Sequence, residues 1–309
     1  MNILVPITLS DAMLTSSTIA EPAAGETAWN AATNYTVGTR AIRTTTHRIY
    51  ENLVAGVDAT LPENATVGTT PRWLDVGPTN RWACFDNLVN TQSSIVTPMT
   101  YVLRPGFFNA LAFYGLDGAT VSVSVKDSPG GSVIYTYTGD LQEPPPDWYE
   151  WLFSPIKALS KLVLHGITPY PDAELTISIT AGAGVTVKAG IIVVGDYRPL
   201  MGEADWGGTE CGATAEPVTY SYISTDIYGT TKIVRRHNAT DLKARVVMPR
   251  ANADAALALL QEVLDVPVCC IATDAAGYEG LNVFGLASGS MSYDSFGHAV
   301  LSINVKGFV

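Results

Sequence analysis

Two carboxylates flank an indole in Asp147-Trp148-Tyr149-Glu150-Trp151, directly after the run Glu143-Pro-Pro-Pro. Paired acids are what a glycosidase uses, one to protonate the leaving oxygen and one to act as nucleophile or base. Aromatic faces beside them would stack on sugar rings. The plainer reading is a Pro-stiffened loop that Trp and Tyr anchor to the body of the protein. Between the two stands a loop that binds a sugar or a partner through Trp148, Tyr149 and Trp151 without turnover. Four histidines (His47, His165, His237, His298) are scattered along the chain without the spacing of a metal site. Ser288, in Gly285-Leu-Ala-Ser-Gly-Ser, falls between expected strands and lacks the spacing of a nucleophile elbow. There is no P-loop and no dinucleotide-type glycine fingerprint. The sequence therefore predicts no catalytic residues, no metal and no cofactor, and a protein that is not an enzyme.

Trp29, Tyr35, Tyr50 and Trp73 allow two readings: the core aromatics of a very small module, or an exposed stacking platform for sugars. Arg235-Arg236-His237 is a basic knot in an otherwise acidic C-terminal third, and reads as a subunit contact rather than a nucleic-acid patch. Trp206 lies in a Gly-rich stretch, where a tryptophan normally docks on something, so it joins the expected assembly contacts.

The elements that would position these residues are mostly strands. Of 309 residues, 47% are apolar and 15% charged, enough for sizeable cores. A net charge of −11 argues against nucleic-acid binding, which needs a basic footprint. Met1–Ile7 has neither a basic start nor a long apolar run, and the longest apolar run, near 189–194, is far too short for a membrane span. The expectation is a soluble protein made in a cytosol, with the Asn-x-Thr triplets at Asn34, Asn64 and Asn238 occurring by chance. Cys269 and Cys270 sit in an apolar strand and read as reduced and core-facing rather than as a redox pair.

In chain order, Asn2–Ile7 reads as a short strand and Ser10–Leu14 as a brief helical turn. Residues 29–73 suggest two or three small strands around aromatic side chains. Pro71–Asp86 packs Trp73, Trp82, Phe85, Arg72 and Arg81 around Gly77-Pro78, and reads as the joint between two units. From Ile95 the pattern turns to period two, as in Val121-Ser-Val-Ser-Val and Leu175-Thr-Ile-Ser-Ile-Thr, which is how half-buried strands look. With Leu111–Gly115, Trp151–Pro155 and Lys161–His165 as central core strands, this implies a jelly-roll-like β-sandwich. Met201–Pro217 reads as a linker. Strands follow near 218–224, 230–236 and 242–248. A helix spans roughly 252–264 with Asn252 as its cap, and strands return at 268–273, 281–286, 289–293 and 299–306. The expected fold class is mainly β: a small aromatic β module, a jelly-roll-like sandwich, and a C-terminal β-sheet with one helix.

The positions of Trp29, Tyr35, Gly38, Ile42, Tyr50 and Trp73 resemble the small carbohydrate-binding modules of chitinases, and the strand order after them resembles galactose-binding-like jelly rolls. The whole order resembles tail proteins of tailed bacteriophages. The N-terminal strand, the aromatic module, the connector Arg72–Asp86 and the Tyr228-Gly-Thr-Thr-Lys-Ile-Val-Arg-Arg segment carry that likeness. The C-terminal unit is similar to the ring-forming domains of tail-tube and distal-tail proteins. The expected organisation is then an N-terminal strand and linker (1–25), a carbohydrate-binding-module-like domain (26–82), a sandwich (83–200), a linker (201–217) and a tail-ring-like domain (218–309). What the resemblance implies is a structural subunit of a tail tip or baseplate, assembled in the host cytoplasm and carried in the virion. It would form a homo-oligomeric, hexameric ring beside tail-tube and hub proteins. Outward domains would bind host surface glycans or neighbouring proteins, with no nucleic acid and no membrane insertion. The alternatives are a polysaccharide-active enzyme and a lectin-like adhesin with a chitin-binding-type module.

Overall fold

The computed structural model describes residues 1–88, 91–142, 147–153, 158–201, 206–227, 229–235, 238–275 and 277–308. The chain opens with β1 (Asn2–Pro6) and β2 (Leu14–Ser17). A small module follows, with β3 (Arg40–Arg43), β4 (Arg48–Asn52) and β5 (Trp73–Pro78). Then come β6 (Ser93–Val96), β7 (Met99–Leu103), β8 (Ala110–Tyr114), β9 (Thr120–Lys126) and β10 (Val133–Asp140). The short helix α1 (Trp148–Phe153) precedes β11 (Lys161–His165), β12 (Glu174–Thr180), β13 (Thr186–Ala189) and β14 (Ile191–Pro199). The last third holds β15 (Gly208–Thr209), β16 (Thr214–Thr219), β17 (Tyr222–Thr225), β18 (Thr231–Val234) and β19 (Asn238–Pro249). It closes with α2 (Arg250–Glu262), β20 (Val268–Ile271), β21 (Asn282–Ser292) and β22 (His298–Gly307). The architecture is mainly β, as the patterning predicts.

A five-stranded antiparallel sheet runs β10-β9-β12-β7-β2. In β9 the valines 121, 123 and 125 point inward and the hydroxyl residues outward; in β12 Leu175, Ile177 and Ile179 do the same. These meet as direct pairs, Val121 with Ile179, Val123 with Ile177 and Val125 with Leu175. Their inner face closes over Leu111 and Phe113 of β8 and Ile192 and Val194 of β14, forming the sandwich core.

β8 and β14 belong to a ten-stranded sheet in the order β11-β8-β14-β1-β20-β21-β22-β19-β15, with β16 also paired to β19. β1 lies at its centre. Ile3 stands opposite Arg198 of β14 on one side and Cys270 of β20 on the other. The first strand thus joins the sandwich to the C-terminal unit through main-chain hydrogen bonds. Residues 1–25, expected as a strand and a linker, supply one strand to each large sheet, because β2 pairs with β7. The seam is tight at Gly195, where a Cβ would stand 2.0 Å from the Val5 carbonyl oxygen.

β8 and β14 are apolar at successive positions because both faces are covered. One face meets the five-stranded sheet. The other curls on itself, gathering Leu4, Ala112, Tyr114, Val193, Cys269 and Phe284 into a second core. Lys161 of β11 closes the curl by donating through Nζ to the Asn282 carbonyl at 3.1 Å, and burial lowers its pKa. Cys269 and Cys270, adjacent on a strand, point to opposite faces, one into the curl and one under α2. Both are buried reduced thiols, as expected, and burial pushes Cys269 up to about 12.

α2 lays Ala253, Ala256 and Leu260 on the C-terminal part of the sheet, with Val263 just beyond. It begins before Asn252. That side chain, expected as the cap, instead donates to the Met201 carbonyl, and Pro249 takes the cap position. β21 is one strand where two were expected. Part of the expected linker 201–217 is sheet, since β15 and β16 both pair with β19. The largest departure is Trp151–Pro155. In place of a core strand, residues 148–153 form α1, exposed throughout, while Ser154 and Pro155 lie outside the described residues.

Candidate functional site

The small module is a three-stranded antiparallel sheet whose core is Tyr35, Ala41, Tyr50 and Trp73. With so few aliphatic residues nearby, the rings themselves must fill the interior. Tyr35 meets Trp73 edge-on at 5.1 Å between centroids. The Tyr35 hydroxyl accepts from the Asn30 N–H at 2.8 Å. Trp73 is wholly buried, and Tyr50 and Tyr35 nearly so. Of the two readings left open for these residues, the structure places three in the core with no face for a sugar to stack on. Trp29 is half-buried against that core, and the Arg43 guanidinium covers its ring at 5.1 Å. Ion pairs brace the outside: Arg43–Glu63 at 3.1 Å, Arg48–Asp75 at 2.6 Å and Arg40–Glu51 at 2.9 Å. Each contributes about 0–1 kcal/mol.

Between the module, the sandwich and the C-terminal unit lies a cleft of about 930 Å³, lined in part by Asp11, His47, Trp82, Asp86, Val193 and Phe284. His47 sits in the β3–β4 turn with φ 53°, a left-handed conformation that costs on the order of 1 kcal/mol for a residue with a Cβ. The strained backbone presents a ring held from three sides. Nδ1 meets the buried Glu21 carboxylate at 2.9 Å, Nε2 faces Asp11 at 3.7 Å, and the ring stacks on Trp82 at 4.4 Å. Glu21 also accepts from the Thr79 hydroxyl at 2.7 Å, and Glu26 accepts from the Asn80 N–H at 2.9 Å.

An imidazole oriented by a buried carboxylate is half of an acid–base pair. Among the described residues no hydroxyl or thiol hydrogen-bonds Nε2 to complete a nucleophilic site, and no cluster of three or more metal-ligating side chains occurs. Asp86, raised in pKa chiefly by burial, spends its oxygens on the Leu88 N–H and the Thr91 hydroxyl. The Asp86 bonds stay within its own loop, whereas Glu21 ties the His47 turn and Thr79 to the segment after β2, and the Trp82 stack sets the module against the sandwich core. The connector does the same: Trp73 lies in the module core, and Trp82 and Cys84 lie in the sandwich core with Phe85 packed on it. Arg72 binds Asp58 at 3.3 Å and the Gly56 carbonyl at 2.7 Å, both inside the module. Arg81 Nε is buried without a partner among the described residues.

Two elements leave the cores and stay bare. α1 is carried on the excursion between β10 and β11, pinched at its base by the Gln142–Ala158 bridge. Trp148 is 72% exposed and Trp151 65%, and Tyr149, Leu152 and Phe153 are exposed beside them. Asp147 Oδ1 accepts from the Glu150 N–H at 2.8 Å, so one of the two acids considered for catalysis caps the helix instead. Glu143 lies outside the described residues. The second bare element is the β17–β18 hairpin, which extends the β16–β19 pair away from the body. Ile223 and Ile233 stand opposite each other on one face and Tyr222 and Val234 on the other, all exposed, with Ile227 near the tip. Arg235 is exposed at the hairpin's foot, whereas Arg236 and His237 lie outside the described residues. Trp206 is half exposed and reaches no core cluster.

No protein-family model, curated protein or solved structure matches this chain. The sequence singled out Trp148, Tyr149 and Trp151, and the structure leaves them accessible. It missed Glu21 as an anchor, because one acid in a Pro/Ala/Gly-rich stretch carries no spacing signal. It also missed the bare hairpin, because Tyr222-Ile223 and Ile233-Val234 read like any half-buried strand. Among the described residues, no helix is long and apolar enough to cross a membrane.

Proposed function

We propose that the chain is a structural, self-assembling subunit of a phage tail tip or baseplate. In this reading the C-terminal unit and β1 take part in a ring, and the aromatic module is held outward at a fixed angle. The observation that carries it is the pair of projecting apolar elements, α1 and the β17–β18 hairpin. Large apolar side chains that converge on a protruding element mark surfaces meant for a partner. The cleft supports the same reading, since Glu21, His47 and Trp82 hold one unit against another. The phage setting rests on the sequence resemblance alone. Light scattering of the purified chain tests assembly, and antibody labelling of virions imaged by electron microscopy tests the tail-tip location. Label on capsids only, or on no virion at all, would reject the setting.

One observation favours a second reading. Trp148, Tyr149 and Trp151 are exposed together, as in a lectin-like adhesin. Binding on a glycan array that is lost in Trp148→Ser/Trp151→Ser would turn the conclusion toward that class.

A further inference from the structure

We infer that α1 of one copy docks on the β17–β18 hairpin of a second copy, head to tail. This rests on the self-assembly reading above and names its interface. The two elements come from opposite ends of the strand order. α1 precedes β11, the first strand of the ten-stranded sheet, and the hairpin springs from β16 and β19, among the last. Each copy would then give one element and receive the other, the heterologous arrangement that closes into a ring or runs on as a filament.

Charge favours this pairing over like with like. α1 carries the exposed acids Asp147 and Glu150, whereas the hairpin strand carries Lys232, with Arg235 next to it. Lys232 and Arg235 form no ion pair among the described residues, in a chain of net charge −11. Two α1 helices would bring acid to acid, whereas Lys232 on β18 meets Glu150 with the opposite charge, Asp226 being set apart in the hairpin turn. Shape favours a protein over a sugar at α1. A sugar stacks on flat, parallel faces, but Trp148 and Tyr149 meet at 82° and Tyr149 and Phe153 at 44°. Such rings make a knobbed apolar surface, and the exposed Ile223–Ile233 pair gives the hairpin one apolar face for it to cover.

The test mixes two variants, both changed only at exposed positions so that the fold is kept, with circular dichroism as the check. Trp148→Ser/Trp151→Ser removes the donor element, and Ile223→Thr/Ile233→Thr removes the acceptor. In light scattering and sedimentation the unchanged chain is expected to self-associate and each variant alone to run as a monomer. An equal mixture is expected to form a dimer and stop there, since one intact α1 meets one intact hairpin and both free ends are disabled. Glu150→Lys is expected to weaken association about tenfold, with Lys232→Glu in the same chain restoring it. A mixture that stays monomeric, or an α1 variant that assembles like the unchanged chain, overturns the interface while leaving self-assembly in place. An unchanged chain that is monomeric at its highest soluble concentration overturns both. Binding of α1 to a glycan array in place of a second copy also overturns it.

Discussion

Trp73 and Trp151 are the same side chain in opposite situations. Trp73 is wholly buried, whereas Trp151 is 65% exposed in a helix with no core residue of its own. Around Trp73, three strands of one module close on the cluster of Tyr35, Ala41, Tyr50 and Trp73, so the rings make up most of its interior. Around Trp151, the helix adds no residue to the sandwich, whose core is already filled by Leu111, Phe113, Val123 and Ile177. Aromatic residues fill the interior where aliphatic ones are missing and are left exposed where aliphatic ones suffice.

The contrast can be broken by truncation. Trp73→Ala is expected to cost about 3–5 kcal/mol, read as loss of hydrogen-exchange protection across β3–β5. A loss confined to ligand binding, with protection intact, would make Trp73 a platform after all. Next in size is an alkaline loss of stability from the buried thiols. Cys84 and Cys269 are both pushed up to about 12 from 9.0 by burial, chiefly because the folded state disfavours the thiolate. Their contribution is fully present below pH 9.0 and is lost as pH rises toward about 12, so denaturant midpoints should fall across that window. Cys84→Ala should flatten the fall.

Glu21→Ala should come next, at about 1–3 kcal/mol, because the Thr79 hydroxyl and His47 Nδ1 lose their buried acceptor. It should speed exchange and proteolysis at the module joint and leave the β9–β12 pair protected. The smallest effect is expected at Trp151→Ala, within about 0.5 kcal/mol in stability, since no packing is lost. Thiol labelling offers a parallel check: Cys211 is exposed and should react in the folded protein, while Cys84, Cys269 and Cys270 should wait for denaturant.

Much of the fold was legible because it repeats a local period. β9 and β12 alternate Val, Leu or Ile with Ser or Thr, and α2 spaces Ala256 and Leu260 on one face. What stayed hidden depends on partners far away in the chain. β1 reads as any short strand, and its place at the seam follows from pairing with β14 and β20, which no local window contains. Trp151-Leu-Phe has the composition of a core strand, and composition cannot say that β8, β9, β12 and β14 already fill the sandwich core. The acids Asp147 and Glu150 were read for chemistry, and a cap explains the first. Glu21 and His47 become a pair only through the turn that forces His47 to φ 53°.

The proposed function requires this chain to assemble with copies of itself. The most direct measurement is its mass in solution by light scattering over a range of concentrations. Self-assembly requires a mass several times the 32.8 kDa of one chain, growing or holding as concentration rises. A mass of one chain at every concentration would contradict it.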